Sequence, residues 1–157
     1  MMMKEKRDLV SVAGKWDISF NYAAGKTISH FLTQMRDHRR ILGIKCAKCQ
    51  RVVVPPRSFC ERCFVPAEDW VELGGEGVVE TFTIVHDAFE GSPPPPYAIA
   101  YVKLDGADTA LANFVDGLDL SDISKATQRL KIGARVKVEF AQKREGRITD
   151  FKYRIIE

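Results

Sequence analysis

The chain has 157 residues, of which 45% are hydrophobic and 29% are charged, and its formal net charge is +3. This length accommodates one ordinary globular unit or two very small ones, and it excludes a large enzyme. The apolar content excludes a disordered chain, and the sequence has no apolar run near the roughly eighteen residues that span a bilayer. The N-terminal residues lack the apolar core of a secretion signal, so we expect a cytoplasmic protein.

The charge is unevenly distributed along the chain. Residues 1–63 carry 13 Lys and Arg against 5 Asp and Glu, whereas residues 64–157 carry 11 against 16. A basic half joined to an acidic half predicts two modules with different binding partners. The alternative is that these charges are scattered over the solvated faces of the protein.

Residues 1–43 form an N-terminal arm with two predicted elements. Residues 16–22, WDISFNY, alternate apolar and polar side chains, which predicts a half-buried strand. Over residues 26–42 apolar side chains recur at helical spacing, so we predict an amphipathic helix with a basic outer side that ends at Gly43. Because an arm of this size buries little surface alone, it packs either on its own domain or on a partner.

Residues 44–66 contain all four cysteines, in the pairs Cys46/Cys49 and Cys60/Cys63. Two Cys-x-x-Cys pairs on successive tight turns bring four thiolates to one ion, and zinc–sulfur bonds of about 2.3 Å suit this closed tetrahedral geometry. Disulfides are one alternative, which a reducing cytoplasm disfavours. Dithiol redox sites are another, but they require a βαβ context. A rubredoxin-like iron site would use the same four ligands. We therefore predict a structural zinc ribbon over residues 44–66.

The sequence offers little for catalysis. Cysteines bound to a structural ion are lost as nucleophiles, and a closed site has no open position for Lewis-acid chemistry. The three histidines, His30, His38 and His86, have no paired cysteine and no obvious carboxylate partner in the sequence. Hydrolase, phosphate-loop and zinc-protease motifs are absent from the sequence. We expect no catalysis from this chain alone.

Residues 67–157 contain recurrent short strand patterns, with one helical pattern within residues 119–132. The strand patterns cover 70–73 joined with 77–86, then 97–104, 109–115, 135–142 and 147–156. Five strands with a helix between the third and the fourth are the order of an OB-fold, a partly open Greek-key barrel. The predicted fold is therefore mostly β with an N-terminal helix, a rubredoxin-like zinc ribbon and a five-stranded OB-fold barrel.

Two connections of this barrel carry sequence signals of their own. Residues 143–146, KREG, predict a hairpin turn between the last two strands. Four consecutive prolines at 93–96 predict a stiff, extended loop between the first two strands. That loop either docks in a groove of a partner or braces a long connection.

A zinc ribbon joined to an OB-fold is also compatible with binding to single-stranded nucleic acid. OB-fold sheets stack bases on aromatic side chains and follow the phosphates with Lys and Arg. Here residues 64–157 carry a net charge of −5, which repels a phosphate backbone. We therefore regard nucleic-acid binding as the less favoured hypothesis.

The chain from Tyr22 onward resembles one family. The most specific string, over residues 46–63, reads Cys-x-x-Cys, then Pro-Pro-Arg-x-x-Cys-x-x-Cys, and residues 75–83, GEGVVETFT, continue the similarity. These motifs are similar to those of small acyl-CoA-associated proteins with a rubredoxin-like zinc ribbon and a C-terminal OB-fold. The strand predicted over residues 16–22 occurs only in some members.

The resemblance implies a non-catalytic, zinc-binding subunit of a thiolase-type acyl-CoA acyltransferase complex. Such a subunit stabilises a thiolase-fold catalytic chain and helps to form its CoA or acyl-CoA site, and we expect two chains of each kind in a heterotetramer. The implied cofactors are structural Zn²⁺ and a CoA ester shared with the partner. The alternative partners are an acyl-CoA aldolase, a hydratase or hydroxymethylglutaryl-CoA synthase; we expect no membrane partner.

Basic residues of the arm and the ribbon are the candidates for binding the phosphates of CoA. They are Arg57, Arg36, Arg39, Arg40, Lys48 and Arg51. The planar guanidinium suits phosphate because it makes paired, charge-assisted hydrogen bonds. Arg57 is the first candidate, since the preceding prolines fix where its side chain starts. The alternatives are a ribbon-to-barrel ion pair for Arg57 and solvated faces for the others.

Overall fold

The computed structural model describes residues 12–14, 18–87 and 90–156. Two helices and eight strands are found there, with a 3₁₀ turn at Ile148–Asp150. In chain order they are α1 (Gly25–His38), β1 (Leu42–Lys45), β2 (Val52–Val53), β3 (Asp69–Glu72), β4 (Glu76–Val85), β5 (Tyr97–Leu104), β6 (Ala110–Asp116), α2 (Ile123–Arg129), β7 (Arg135–Phe140) and β8 (Phe151–Ile155). Among these residues no helix combines the length and the apolar character needed to cross a bilayer.

The C-terminal part is a closed five-stranded barrel in the order β4-β5-β6-β8-β7. β6 and β8 pair in parallel at Val115 and Tyr153, and this pairing closes the barrel. α2 lies between the third and fourth barrel strands, and the Asp122 carboxylate caps it by accepting the Lys125 N–H at 3.1 Å. This arrangement confirms the predicted OB-fold, but the predicted strand at residues 70–73 is not part of the barrel: residues 70–72 lie in β3, which pairs with β1 in a separate sheet.

Alternate side chains of the barrel strands point into one core, as the period of two of a strand requires. Tyr153 is fully buried there, and its hydroxyl donates a hydrogen bond to the Leu111 carbonyl at 3.0 Å. Gly77 lies where β4 crosses close to β5: a Cβ at this position would be 2.5 Å from the Lys103 carbonyl oxygen. A larger residue at position 77 would therefore push the two strands apart.

The ribbon is attached to the barrel by hydrogen bonds and by a shared core. Four hydrogen bonds of 2.8 Å join residues 52–54 to Asp108 and Thr109, in the connection between β5 and β6. Side chains from α1, from the ribbon sheet β2-β1-β3 and from the barrel pack into a single cluster. Ribbon and barrel are therefore held against each other at a defined angle.

The N-terminal helix is shorter than predicted. α1 ends at His38, and Arg39 adopts the left-handed conformation (φ 56°), with its N–H directed at the Gln34 and Met35 carbonyls. Leu42 and Gly43, which we expected inside the helix and at its end, lie in β1. A Cβ at Gly43 would meet the Val52 side chain at 2.7 Å, so this glycine permits close strand packing rather than ending the helix.

The strand predicted over residues 16–22 is wrong for the part that the structure describes. Residues 18–22 belong to no strand, and the side chains of Ile18, Phe20 and Tyr22 are exposed. Trp16 and Asp17 lie outside the described residues. The physical reason is that alternation favours a strand only where the fold covers the apolar side, and here all three apolar side chains remain exposed.

The predicted hairpin between the last two strands is confirmed, but its connection is longer than residues 143–146. β7 and β8 pair in antiparallel fashion, but their connection runs over residues 141–150. The buried Asp150 carboxylate accepts the backbone N–H groups of Glu145, Gly146 and Arg147 at 2.7–3.1 Å. These bonds give the backbone an alternative to the strand ladder, so β8 starts at Phe151 rather than at residue 147.

Candidate metal centre

Two similar turns, here called knuckle 1 (residues 46–51) and knuckle 2 (residues 60–65), present the cysteines. In knuckle 1 the Cys46 N–H bonds the Arg51 carbonyl at 2.9 Å, and the Gln50 N–H bonds the Cys46 carbonyl at 2.8 Å. Knuckle 2 repeats both bonds, at 2.9 Å each, between Cys60 and residues 64–65. Gln50 and Phe64, at equivalent positions, are both left-handed, with φ values of 61° and 52°. Each Cys-x-x-Cys pair is thus aimed by the same backbone geometry.

The four sulfur atoms converge on one point. All four lie within 4.8 Å of one another, and the Sγ atoms of Cys49 and Cys60 are 3.7 Å apart. Sulfurs bound tetrahedrally to one zinc ion at about 2.3 Å would be about 3.8 Å apart, so the donor set fits a closed tetrahedral Zn²⁺ site. None of the four cysteines is in a disulfide in this structure. Iron requires the same four sulfurs and stays an alternative ion.

Local contacts shift the acidity of these thiols in opposite directions. The Cys49 N–H donates to the Cys46 sulfur at 3.5 Å, and this bond is the main reason why the pKa of Cys46 falls to about 6. Burial raises the pKa of Cys63 to about 12. A bound dication supplies the positive charge that stabilises all four groups as thiolates.

The basic residues singled out in the sequence fall into two groups. Arg36, Arg39 and Arg40 lie at the C-terminal end of α1, where Arg36 pairs with Asp37 at 2.7 Å and Arg40 with Glu72 at 3.5 Å. The Asp37 pKa is lowered by its hydrogen bond from Arg36. Lys48 is exposed on knuckle 1. These four side chains lie on the surface, where an added anion has access to them.

Arg51 and Arg57 meet at one carboxylate, that of Glu61. Arg57 forms an ion pair with Glu61, four residues further along the chain, and Arg51 approaches the other carboxylate oxygen at 3.9 Å. The ion pair of Arg57 is therefore within the ribbon and does not reach the barrel. Glu61 was not among the predicted site residues, although its spacing of four from Arg57 indicates such an ion pair.

The histidines do not join the metal cluster. The His30 ring packs against Trp70, with ring centroids 4.6 Å apart, and His38 and His86 are exposed. Within the described residues, the cysteine cluster is the one group of three or more metal-ligating side chains close enough to hold an ion.

Comparison with known proteins matches this architecture. The family model for the rubredoxin-like zinc ribbon domain of ChsH2 matches residues 33–69, and that for the C-terminal OB-fold domain of ChsH2 matches residues 70–141. A DUF35 domain-containing scaffold protein of Methanocaldococcus jannaschii is 32% identical over 80 residues, covering 48% of this chain and 55% of that protein. A probable enoyl-CoA hydratase alpha subunit of Thermomonospora curvata is 28% identical over 85 residues, covering 54% of this chain and 27% of that protein.

Two solved structures share the fold. A DUF35-family protein of unknown function from Sulfolobus solfataricus superposes with a TM-score of 0.56 at 27% identity, covering 82% of each chain. A chain of the Ltp2-ChsH2(DUF35) aldolase superposes with a TM-score of 0.60 at 23% identity, covering 85% of this chain and 97% of that chain.

The chain spans about half the length of the first curated relative and about a quarter of the second. The two ChsH2 models are adjacent on the chain, and together they match more than half of it, in the order seen in the structure. The chain therefore belongs to the ChsH2-type (DUF35) family, whose members join a rubredoxin-like zinc ribbon to a C-terminal OB-fold domain.

Proposed function

We propose that this chain is a non-catalytic subunit of a thiolase-type acyl-CoA acyltransferase, which it stabilises and whose CoA site it helps to form. The observation that carries the proposal is the zinc ribbon held on an OB-fold barrel, in a family whose relatives include a probable enoyl-CoA hydratase subunit and an aldolase chain. The names of these relatives connect the architecture with acyl-CoA enzymes and with assembly of more than one chain.

The donor set of the metal centre supports a structural role for the ion. Four sulfur ligands complete a tetrahedral zinc site and leave no position for a substrate, and the same cysteines are then unable to act as nucleophiles. Thiolase-type chemistry would in that case be supplied by the side chains of the partner. The ion stabilises the ribbon, which contains few buried apolar residues of its own.

The ribbon and the end of α1 offer cationic groups for the phosphates of CoA. Arg57 is 56% exposed, and its partner Glu61 is 44% exposed, so a phosphate oxygen is able to replace the carboxylate without a change in the backbone. Arg51 lies on the other side of the same carboxylate. A phosphate in that position would accept hydrogen bonds from two guanidinium groups, which is the geometry that arginine favours.

Benzoylsuccinyl-CoA thiolase is the specific thiolase that we propose to test first, because this chain is similar in size and in its Pro55-Pro56-Arg57 ribbon to the small subunit of that enzyme. Thiolases are commonly dimeric, so we propose two catalytic chains and two copies of this chain. The alternative partners are an acyl-CoA hydratase and an acyl-CoA aldolase, of which the hydratase is favoured by the similarity to the Thermomonospora curvata subunit.

Co-expression tests the proposal. The chain is produced with the thiolase-like protein encoded nearest to its gene, and the mass of the complex and its thiolytic activity on acyl-CoA are measured with and without this chain. We expect a stable complex of two plus two chains, and a catalytic chain that alone is insoluble or inactive. A catalytic chain that is fully active and soluble alone would reject the proposal, whereas enoyl-CoA hydration that depends on this chain would assign the hydratase as the partner.

A further inference from the structure

Residues 18–22 present an apolar strip that the rest of the described chain leaves uncovered. Ile18, Phe20 and Tyr22 are 66%, 77% and 82% exposed, and the rings of Phe20 and Tyr22 are 6.4 Å apart. Ser19 and Asn21 alternate with them. This alternation is typical of a segment that lies extended with one side against an apolar surface. Residues 18–22 pair with none of the described strands, so a surface that covers them is available only from another molecule or from residues outside the described ones.

The strip continues into a groove on the body of the protein. Tyr22 lines this groove of about 450 Å³ together with residues of α1, Pro55 and the connection before β8. Ile28 and Leu32 line it from the helix, and Ile148, 38% exposed, lines it from the connection. Arg144 fastens this connection to the helix, because its Nε donates to the Arg36 carbonyl at 2.7 Å. Strip and groove therefore form one continuous apolar surface.

The surroundings of this surface are positively charged. Arg147 lines the groove and pairs with Glu145 at 3.4 Å, and residues 143–147 carry three basic side chains against that one acidic side chain. Residues 18–40 carry four basic side chains and one acidic side chain. The complementary surface is thus an apolar segment with Asp or Glu beside it. A second copy of this chain does not meet that requirement, because a two-fold dimer would bring this cationic surface against itself.

We propose that residues 18–22 and the adjoining groove are the docking surface for the catalytic partner. The three side chains of the strip insert into an apolar face of the partner, and an acidic apolar segment of the partner occupies the groove beside Arg147. This inference rests on the proposed function and names the part of the chain that makes the contact. It also accounts for the alternation over residues 18–22, whose apolar side faces the partner instead of a sheet of this chain.

A binding experiment on the purified full-length chain tests the inference. The dissociation constant for the thiolase-like catalytic chain is measured for the wild type, for the double variant Phe20→Ser/Tyr22→Ser and for Arg147→Glu. Loss of two apolar anchors is expected to weaken binding about 100-fold, and reversal of the Arg147 charge about 10-fold, mostly through slower association. Ile132→Ser is the matched control, since Ile132 is 70% exposed in the connection between α2 and β7. It is expected to bind like the wild type.

Two further measurements separate the outcomes. Metal content and thermal unfolding should be unchanged in the double variant, since both side chains are exposed. In the wild type, the backbone amides of residues 18–22 should gain hydrogen-exchange protection only in the complex. If the wild type binds while the double variant binds equally well and no protection appears, the inference is overturned and the proposed function stands. If the wild type does not bind, both are overturned. Self-association of the wild type that the double variant lacks would instead assign the surface to a second copy, against the inference.

Discussion

At the scale of single residues, the candidate metal centre depends on four cysteines and on the backbone hydrogen bonds of the two knuckles. Two Cys-x-x-Cys pairs restrict the chemistry so strongly that the sequence alone identifies Cys46, Cys49, Cys60 and Cys63, which the structure brings within 4.8 Å. The left-handed conformation of Phe64 carries no such signal, because a non-glycine residue rarely adopts it. The knuckle imposes that conformation through its two backbone hydrogen bonds.

Replacement of one ligand tests the structural role of the ion. Cys60→Ser removes a thiolate from a buried site, and a short segment with a small core of its own has little else to keep it folded. We expect the variant to lose its bound metal, with the ribbon opening at a lower temperature than the barrel. Metal content by mass spectrometry and two-step thermal unfolding measure this effect.

The matched control for this substitution is Arg62→Ala, which alters an exposed side chain between the two cysteines of knuckle 2. It should keep one metal ion per chain. A Cys60→Ser protein that is free of metal and still binds the catalytic partner with wild-type affinity would contradict the structural role.

At the scale of elements, prediction succeeded where local pattern and tertiary environment agree. The barrel strands from Glu76 to Asp116 are within one or two residues of the predicted ranges, because alternate side chains enter the core along each of them. The helix end at His38 was missed, since Ile41 and Leu42 continue the helical spacing although they are buried next to and within β1. Burial alone does not tell a helix face from a short strand.

The junction between ribbon and barrel had no signal in the sequence at all. Thr109 is more than 50 residues from Val54, yet its hydroxyl accepts the Val54 N–H and donates to the Val54 carbonyl, both at 2.8 Å. Asp108 makes two similar bonds to Val52: its carboxylate accepts the Val52 N–H, and its own N–H donates to the Val52 carbonyl. Such contacts depend on how two modules meet, which local patterns do not encode.

Thr109→Val tests this junction, because valine keeps the shape of threonine and removes both hydrogen bonds. Val54 is buried, so its N–H and its carbonyl lose their partner without access to water, and we expect a loss of about 2–4 kcal/mol in the free energy of unfolding. Urea unfolding measures this loss. The control, Thr83→Val, changes an exposed threonine of β4 and should cost less than about 0.5 kcal/mol. Equal stability of the two variants would show that the hydrogen bonds of Thr109 do not stabilise the junction.

At the scale of the whole molecule, the structure shows which elements carry the uneven charge of the sequence. The basic first half supplies α1 and the knuckles, and the acidic second half supplies the barrel, but both share one core and are not independent modules. The ion pair of Arg40 with Glu72, at 3.5 Å, joins the basic half of the sequence to the acidic half. The sequence predicted two modules with different partners, but the structure has one body with two differently charged surfaces. The cationic surface is the candidate for binding phosphates and the catalytic chain.

The contribution of Arg57 to CoA binding is measurable only in the assembled complex. If its guanidinium binds a phosphate of CoA, Arg57→Ala removes a charge-assisted hydrogen bond of about 1.5–3 kcal/mol and raises KM for the CoA ester at least about tenfold, with kcat little changed. Glu61→Gln weakens the competing ion pair and should lower KM or leave it unaltered. Arg62→Ala serves as the charge-matched control on the same ribbon. An unchanged KM in Arg57→Ala, with the complex intact, would restrict Arg57 to its ion pair with Glu61 and leave the other basic candidates of the ribbon and of α1 for the phosphates.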